Sequence, residues 1–196
     1  MTSMILTTFL AIGFPAAILL GGSRILSQAS GRAAAVNQLT PGEQKAPRPL
    51  NLRWFGYGTE AVNEYWSWLK CAGLQAEKRR LLLDLIFPLM YGGALAASLW
   101  WVWVTLGQPF HPAWIIAPLA IILTADWTEN LIQLAQLRHY VSSSEGRIQG
   151  LWIQISSCAT IIKLWLTSGL YVSLVGLVVR MIFTLSDRRL VPDAVE

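Results

Sequence analysis

The chain has 196 residues and a mass of 21.8 kDa, room for one compact domain. It is 54% hydrophobic and only 13% charged, with a formal net charge of +4 and a mean hydropathy of +0.47, whereas an ordinary soluble domain carries about 25% charged residues. A disordered chain, a fibrous repeat and a disulfide-rich secreted module are excluded. What fits is an all-α integral membrane helical bundle, and four transmembrane helices with a short interfacial amphipathic helix are expected.

The first apolar stretch, within residues 1–22, is long enough to cross a bilayer, which takes about 20 residues. A secretory signal cut at Ser27-Gln28-Ala29 is the competing reading. The stretch lacks a positive leader and Arg24 follows it directly, so a retained span is favoured. Residues 23–57 combine Ser, Gly, Pro and scattered charge (Thr40-Pro41-Gly42, Ala46-Pro47-Arg48-Pro49). They read as a cytoplasmic linker without a core of its own.

Aromatic residues then crowd together: Trp54, Phe55, Tyr57, Tyr65, Trp66 and Trp68. Val62, Tyr65, Trp66 and Leu69 recur at helical spacing, which predicts a helix over 59–72, lying among the headgroups and ended by Gly73. Residues 58–185 hold this helix and the membrane core, and 186–196 form a tail. The second span is expected over 81–106, the third over 113–137 and the fourth within 151–185. That last stretch would extend ~52 Å as helix, against a hydrocarbon core of ~30 Å. Trp100, Trp101, Trp103, Phe110 and Trp114 would form a second aromatic belt on the far side.

Residues 23–83 contain nine of the fifteen Lys and Arg residues, including Lys78-Arg79-Arg80, and the loop after the third span adds Arg138 and Arg147. The link 107–112 has none. Lys and Arg stay on the cytoplasmic side, which puts both charged loops inside and the N-terminus outside. Four crossings return the C-terminus outside, although Arg188 and Arg189 pull the other way. The same rule accounts for the basic balance, so nucleic acid is not an expected partner. Membrane lipids are, and other membrane protein subunits are the alternative.

Cys71 and Cys158 have no metal or redox spacing and read as small buried hydrophobes. His111 and His139 would sit ~40 Å apart on one helix. No cofactor or metal site is expected.

Ionisable groups inside the spans are the informative feature, because each costs at least ~2.5 kcal/mol at the bilayer centre. Asp126, Glu129, Asn130 and Gln133 fall on one stripe of the third span. Ser156, Thr160, Lys163 and Thr167 fall on one stripe of the fourth, and Asp84, Tyr91 and Ser98 return to one face of the second. The candidate intramembrane site is therefore Asp84, Tyr91, Asp126, Glu129, Asn130, Thr160 and Lys163. Counting from the loops puts Asp126 ~20 Å and Lys163 ~22 Å above the cytoplasmic turn, so these two should pair. If the fourth helix reaches further into the cytoplasm, Lys163 meets Asp84 instead. Tyr91 is expected level with Glu129 and Asn130 and could donate to Glu129. Three acids facing one base imply that a carboxyl stays protonated or exchanges protons with water. A hydrogen-bonded staple between helices is the structural alternative.

The segments Leu83-Asp84-Leu85-Ile86-Phe87-Pro88-Leu89-Met90-Tyr91-Gly92, Asp126-Trp127-Thr128-Glu129-Asn130 and Ala159-Thr160-Ile161-Ile162-Lys163 carry a likeness. Over about residues 54–170 the chain resembles a group of small, mostly bacterial multi-span membrane proteins. That group has an L-D-x-x-F-P-x-x-Y-G span, a D-x-x-E-N span and an A-T-x-x-K span, and a Gly56-Tyr57-Gly58-Thr59-like entry to its short helix. The resemblance implies the architecture and the choice of polar residues. It implies no activity, and the long connector is not shared with the group.

Three functions remain open from the sequence. One is a non-enzymatic protein that binds a small amphipathic molecule or relays protons at the seam. Another is an accessory subunit of a larger membrane complex, suggested by abundant Trp and by Gly92, Gly93, Ala94, Ala96 and Ala97. The third is a lipid-modifying, isomerase-like enzyme with Asp126 or Glu129 as general acid/base and Lys163 tuning it. Nucleophile motifs, a metal triad and a phosphate-cradling loop are absent from the sequence.

Overall fold

The computed structural model describes the backbone of residues 2–39, 46–107, 113–143 and 148–190, and the side chains of 10–38, 46–107, 113–143 and 148–185. Among these residues every regular element is helical: α1 (Thr2–Ala29), α2 (Arg32–Leu39), a 3-10 turn (Leu50–Leu52), α3 (Thr59–Leu83), α4 (Phe87–Thr105), α5 (Ala113–Ser142) and α6 (Gly150–Leu190). Four stretches are long and apolar enough to cross a membrane, Leu10–Ala29, Phe87–Thr105, Ala113–Ser142 and Gly150–Leu185. The chain is an all-α bundle of the membrane-protein type.

Several boundaries move from the expected ones. The first helix runs past the expected end at residue 22, because α1 continues to Ala29 and stops only where Gly31 adopts a φ of 76°. A left-handed residue at this position closes a helix, and glycine does so without steric cost. The linker expected over 23–57 is folded where it is described. It carries α2 and the 3-10 turn, and Leu50 is buried against the bundle. It has no core of its own because it borrows one: Leu50 and Tyr57 join Val62, Trp66, Leu69, Leu134 and Ile153 in a single apolar cluster. The tail expected over 186–196 begins later, since α6 continues to Leu190; residues 191–196, like Thr40-Pro41-Gly42, Phe110, His111 and Arg147, lie outside the described residues.

The amphipathic helix does not stop at Gly73. Its first part breaks at Lys70, whose φ of 52° and ψ of −173° are non-helical, and a second helical piece then runs to Leu83. The predicted face holds, with Val62, Tyr65, Trp66 and Leu69 all buried, so these aromatic rings serve the core. The second piece turns Ala76, Glu77, Arg80 and Leu81 inward.

The second span starts at Phe87, six residues later than expected. Its cause is Pro88, at the start of α4. Proline has no amide hydrogen for the carbonyl four residues back, so the carbonyl of Asp84 is left open. Asn130 Nδ2 donates to it from α5 at 3.3 Å, and Trp127 Nε1 donates to the neighbouring carbonyl of Leu85 at 2.9 Å. Helix α5 thus supplies the bonds that the junction lacks.

Packing is layered along the bundle axis. At one end Leu95, Leu99, Val102, Ile115, Leu119, Leu174, Val178 and Met181 form an apolar layer. Phe87, Tyr91 and Ile122 continue it inward. The cluster around Trp66 closes the other end with Leu134, Leu137 and Ile153. On α5 the stretch between these layers is 126–133, and on α6 it is 156–163. A polar layer lies there.

Candidate functional site

Stripes at helical spacing on α5 and α6 meet as the sequence predicts. Asp126, Glu129, Asn130 and Gln133 are all buried, and so are Ser156, Thr160 and Lys163 opposite them. Lys163 Nζ lies 3.1 Å from Asp126 Oδ1 and also bonds Glu129 Oε2. The expected Asp126–Lys163 pair is therefore present, with Glu129 as a second partner. Tyr91 differs from expectation: its hydroxyl donates to Asp126 Oδ2 at 2.8 Å and not to Glu129. Asn130 Nδ2 reaches Asp126 Oδ1 at 3.1 Å as well as the Asp84 carbonyl.

The chain of bonds continues on the other side of Glu129. Gln133 Nε2 donates to Glu129 Oε1 at 3.1 Å and to the Tyr57 hydroxyl at 2.8 Å. Tyr57 and Ser156 share a 2.7 Å hydroxyl–hydroxyl bond in which either can donate. Thr160 donates to the Ser156 carbonyl at 3.0 Å and lies 3.4 Å from the Tyr57 hydroxyl. Burial pushes the Tyr57 phenol up, and the nearby Glu129 pushes it further, so Tyr57 keeps its proton.

Tyr57 is delivered by a tight approach. Its amide donates to Ser157 Oγ at 2.7 Å. Just before it, Gly56 has a φ of 81°, and a Cβ added there would lie 2.5 Å from the same Ser157 oxygen. Gly56→Ala should thus cost about 2–3 kcal/mol through the left-handed backbone and the clash. A clear fall in thermal midpoint in detergent is expected, while Gly58→Ala, with open space around its Cβ, should change little. Equal midpoints for the two variants would contradict this packing.

Asp84 is brought near the site but is held by a cation that the sequence reading assigned only to topology. Arg80 Nη1 bonds Asp84 Oδ2 at 3.0 Å, and its Nε and Nη2 grip Glu77 Oε1 at 3.1 and 3.0 Å. Glu77 also meets Arg32 Nε from α2 at 3.0 Å, and Tyr65 donates to it at 3.1 Å. Arg32 Nη2 donates in turn to Tyr65 at 2.7 Å. Burial alone would raise the Glu77 carboxyl, but Arg80 and Arg32 outweigh it and hold Glu77 below its ordinary range. Burial works against the Arg80 charge too, and Glu77 and Asp84 more than restore it.

One system therefore runs from Arg32 through Glu77 and Arg80 to the Asp84 carboxylate, and from the main-chain carbonyl of Asp84 across Asn130 to Asp126, Lys163 and Glu129, and on to Gln133, Tyr57 and Ser156. Among the described residues it contains four carboxylates (Glu77, Asp84, Asp126, Glu129) and three cations (Arg32, Arg80, Lys163). The expected ratio of three acids to one base is corrected to four against three, and acidic groups outnumber basic ones by one. Glu77 and Arg80 at i, i+3, with Asp84 at i+4 from Arg80, were a spacing that could have revealed this part. Nothing local could have revealed Arg32 or Tyr57, whose partners are 33 to 103 positions away.

One further reading changes. Cys71 and Cys158 are both exposed free thiols, so neither is the buried hydrophobe expected. His139 is exposed. Family models, curated proteins and solved structures were compared with the chain, and none matches.

Proposed function

We propose that this protein is a polytopic bacterial inner-membrane protein that takes up and relays a proton at the Asp126–Glu129–Lys163 centre. The carrying observation is the surplus carboxylate. A buried cluster with four acids and three bases can accept one proton and become neutral without any cation leaving it, which lowers the electrostatic cost of holding it between apolar layers. Polar side chains interrupt the apolar layer on each side of the centre. On one side Arg32, half-buried at the edge, begins the chain that leads inward. On the other, α6 continues the Lys163 stripe with Thr167 and Tyr171, whose hydroxyls are buried without a hydrogen-bond partner among the described residues.

In this reading the N-terminus is outside, the loops rich in Lys and Arg are cytoplasmic, and α3 lies among the headgroups. The bonds of Tyr57, Gln133 and Ser156 around Glu129 then orient the acceptor from the cytoplasmic side. A small amphipathic molecule bound against the same seam would be the cargo or the regulator of such a relay.

Reconstitution tests it. Vesicles carrying the wild-type chain should dissipate an imposed pH gradient faster than empty vesicles, followed by an enclosed pH dye. The triple variant Asp126→Asn, Glu129→Gln, Lys163→Met, which keeps the shapes and removes all three charges, should match empty vesicles while remaining folded. A wild-type protein no faster than empty vesicles, or a fully active triple variant, would remove the proposal.

A further inference from the structure

A cleft of about 390 Å3 lies between the second piece of α3 and the last turns of α5. It is separate from the buried centre, since Lys78 and Gln75 point away from the face of α3 that carries Glu77 and Arg80. Its walls are apolar, made by Leu74, Leu137 and Val141, and Lys78 and Arg138 stand at it from the two helices. Both cations are exposed, and neither forms an ion pair or hydrogen bond with a described residue. Among the described residues no acidic side chain lines the cleft.

An arginine and a lysine lining one cleft from two helices present an array of donors with no counter-charge among the described residues, and a phosphate diester satisfies such an array. Apolar walls beneath them exclude a fully hydrated ion and suit the start of an acyl chain. The cleft sits at the end of the bundle where α5 finishes and the spans give way to polar loops, the depth at which lipid headgroups lie. We infer that this cleft holds the headgroup of an anionic phospholipid, with its phosphate between Lys78 and Arg138 and its glycerol and upper acyl chain along Leu74 and Val141. This goes beyond the proton centre and does not depend on it.

The full-length protein in neutral detergent is titrated with phosphatidylglycerol, phosphatidylcholine or glycerol 3-phosphate, and bound molecules are counted by native mass spectrometry. One phosphatidylglycerol should be retained in preference to phosphatidylcholine. Lys78→Gln combined with Arg138→Gln should weaken that retention about 30-fold, from two cations acting near a membrane surface. Arg79→Gln removes a neighbouring exposed cation outside the cleft and should leave retention unchanged. Val141→Asp, which sets a carboxylate on the wall, should weaken it independently and decides the matter if the double variant does not fold. A second readout is Cys71, which lines the cleft: with Cys158→Ser in place, its maleimide labelling should slow when phosphatidylglycerol is added. Equal retention by the wild type and the variants that fold, or equal binding of phosphatidylcholine, overturns the inference. Displacement of the lipid by an equal concentration of glycerol 3-phosphate would assign the cleft to a free phosphate ester, and overturns it too.

Discussion

Lys163→Met should lower the stability of the protein by about 3–5 kcal/mol, the usual cost of leaving a buried charge without its partner. The effect is large because two carboxylates, Asp126 and Glu129, lose the same ammonium. Against a total stability of about 5–15 kcal/mol, that is enough to deplete the folded protein in membranes and to drop its thermal midpoint steeply in detergent. Adding Asp126→Asn and Glu129→Gln should restore most of the loss. With the charges gone, Tyr91 still has an oxygen to donate to and Gln133 still has one to meet, and a neutral set of similar shape is often no less stable than the ion pairs it replaces. The recovery distinguishes lost charge balance from lost packing. A single variant as stable as the wild type would mean that the ammonium is not what the two acids face.

A second large effect is expected at Arg80. Arg80→Met removes the guanidinium from both Glu77 and Asp84, each buried, and should again cost about 3–5 kcal/mol. Arg79→Met deletes the same charge from the same basic run one residue away, at an exposed position, and should stay within about 0.5 kcal/mol. Acid titration sharpens the contrast. Glu77 is held below its ordinary value of 4.5, so the folded state binds its proton less readily than the unfolded chain. Its contribution is complete above that value and is lost as pH falls below it. Chemical unfolding followed from pH 6 to pH 3 should therefore show an acid loss linked to Glu77 that is larger in the wild type than in Arg80→Met. Equal behaviour of the Arg79 and Arg80 variants would reduce the whole basic run to a topological signal.

Much of the polar centre was legible because α5 and α6 are long, regular and antiparallel. Equal rise per residue from a shared turn puts Asp126 and Lys163 at one level, and the i, i+3, i+4, i+7 spacing puts the partners on one face. Tyr91 was read one turn away from its partner for an equally simple reason. Counted from Thr105 and Ala113, the described helix residues nearest the turn, rather than from the span ends expected from the sequence, Tyr91 and Asp126 lie ~21 and ~20 Å down their helices. The aromatic face of α3 was visible in its period, but the break at Lys70 was not, since lysine favours helix and gives no sign of a positive φ. The roles of Arg32, Leu50 and Tyr57 were hidden by composition: a stretch rich in Pro, Gly and Ser looks unstructured until the surface that receives it is known.

The junction between α3 and α4 has one more consequence. A proline at a helix boundary usually leaves a swivel, because the carbonyls behind it turn to solvent and the segments on either side move apart freely. Here Asn130 and Trp127 clasp those carbonyls from a third helix, and Asn130 uses the same amide nitrogen to hold Asp126. The end of α3 is therefore welded rather than hinged to the bundle, and a displacement of this junction would strain the same amide that holds the carboxylate of Asp126.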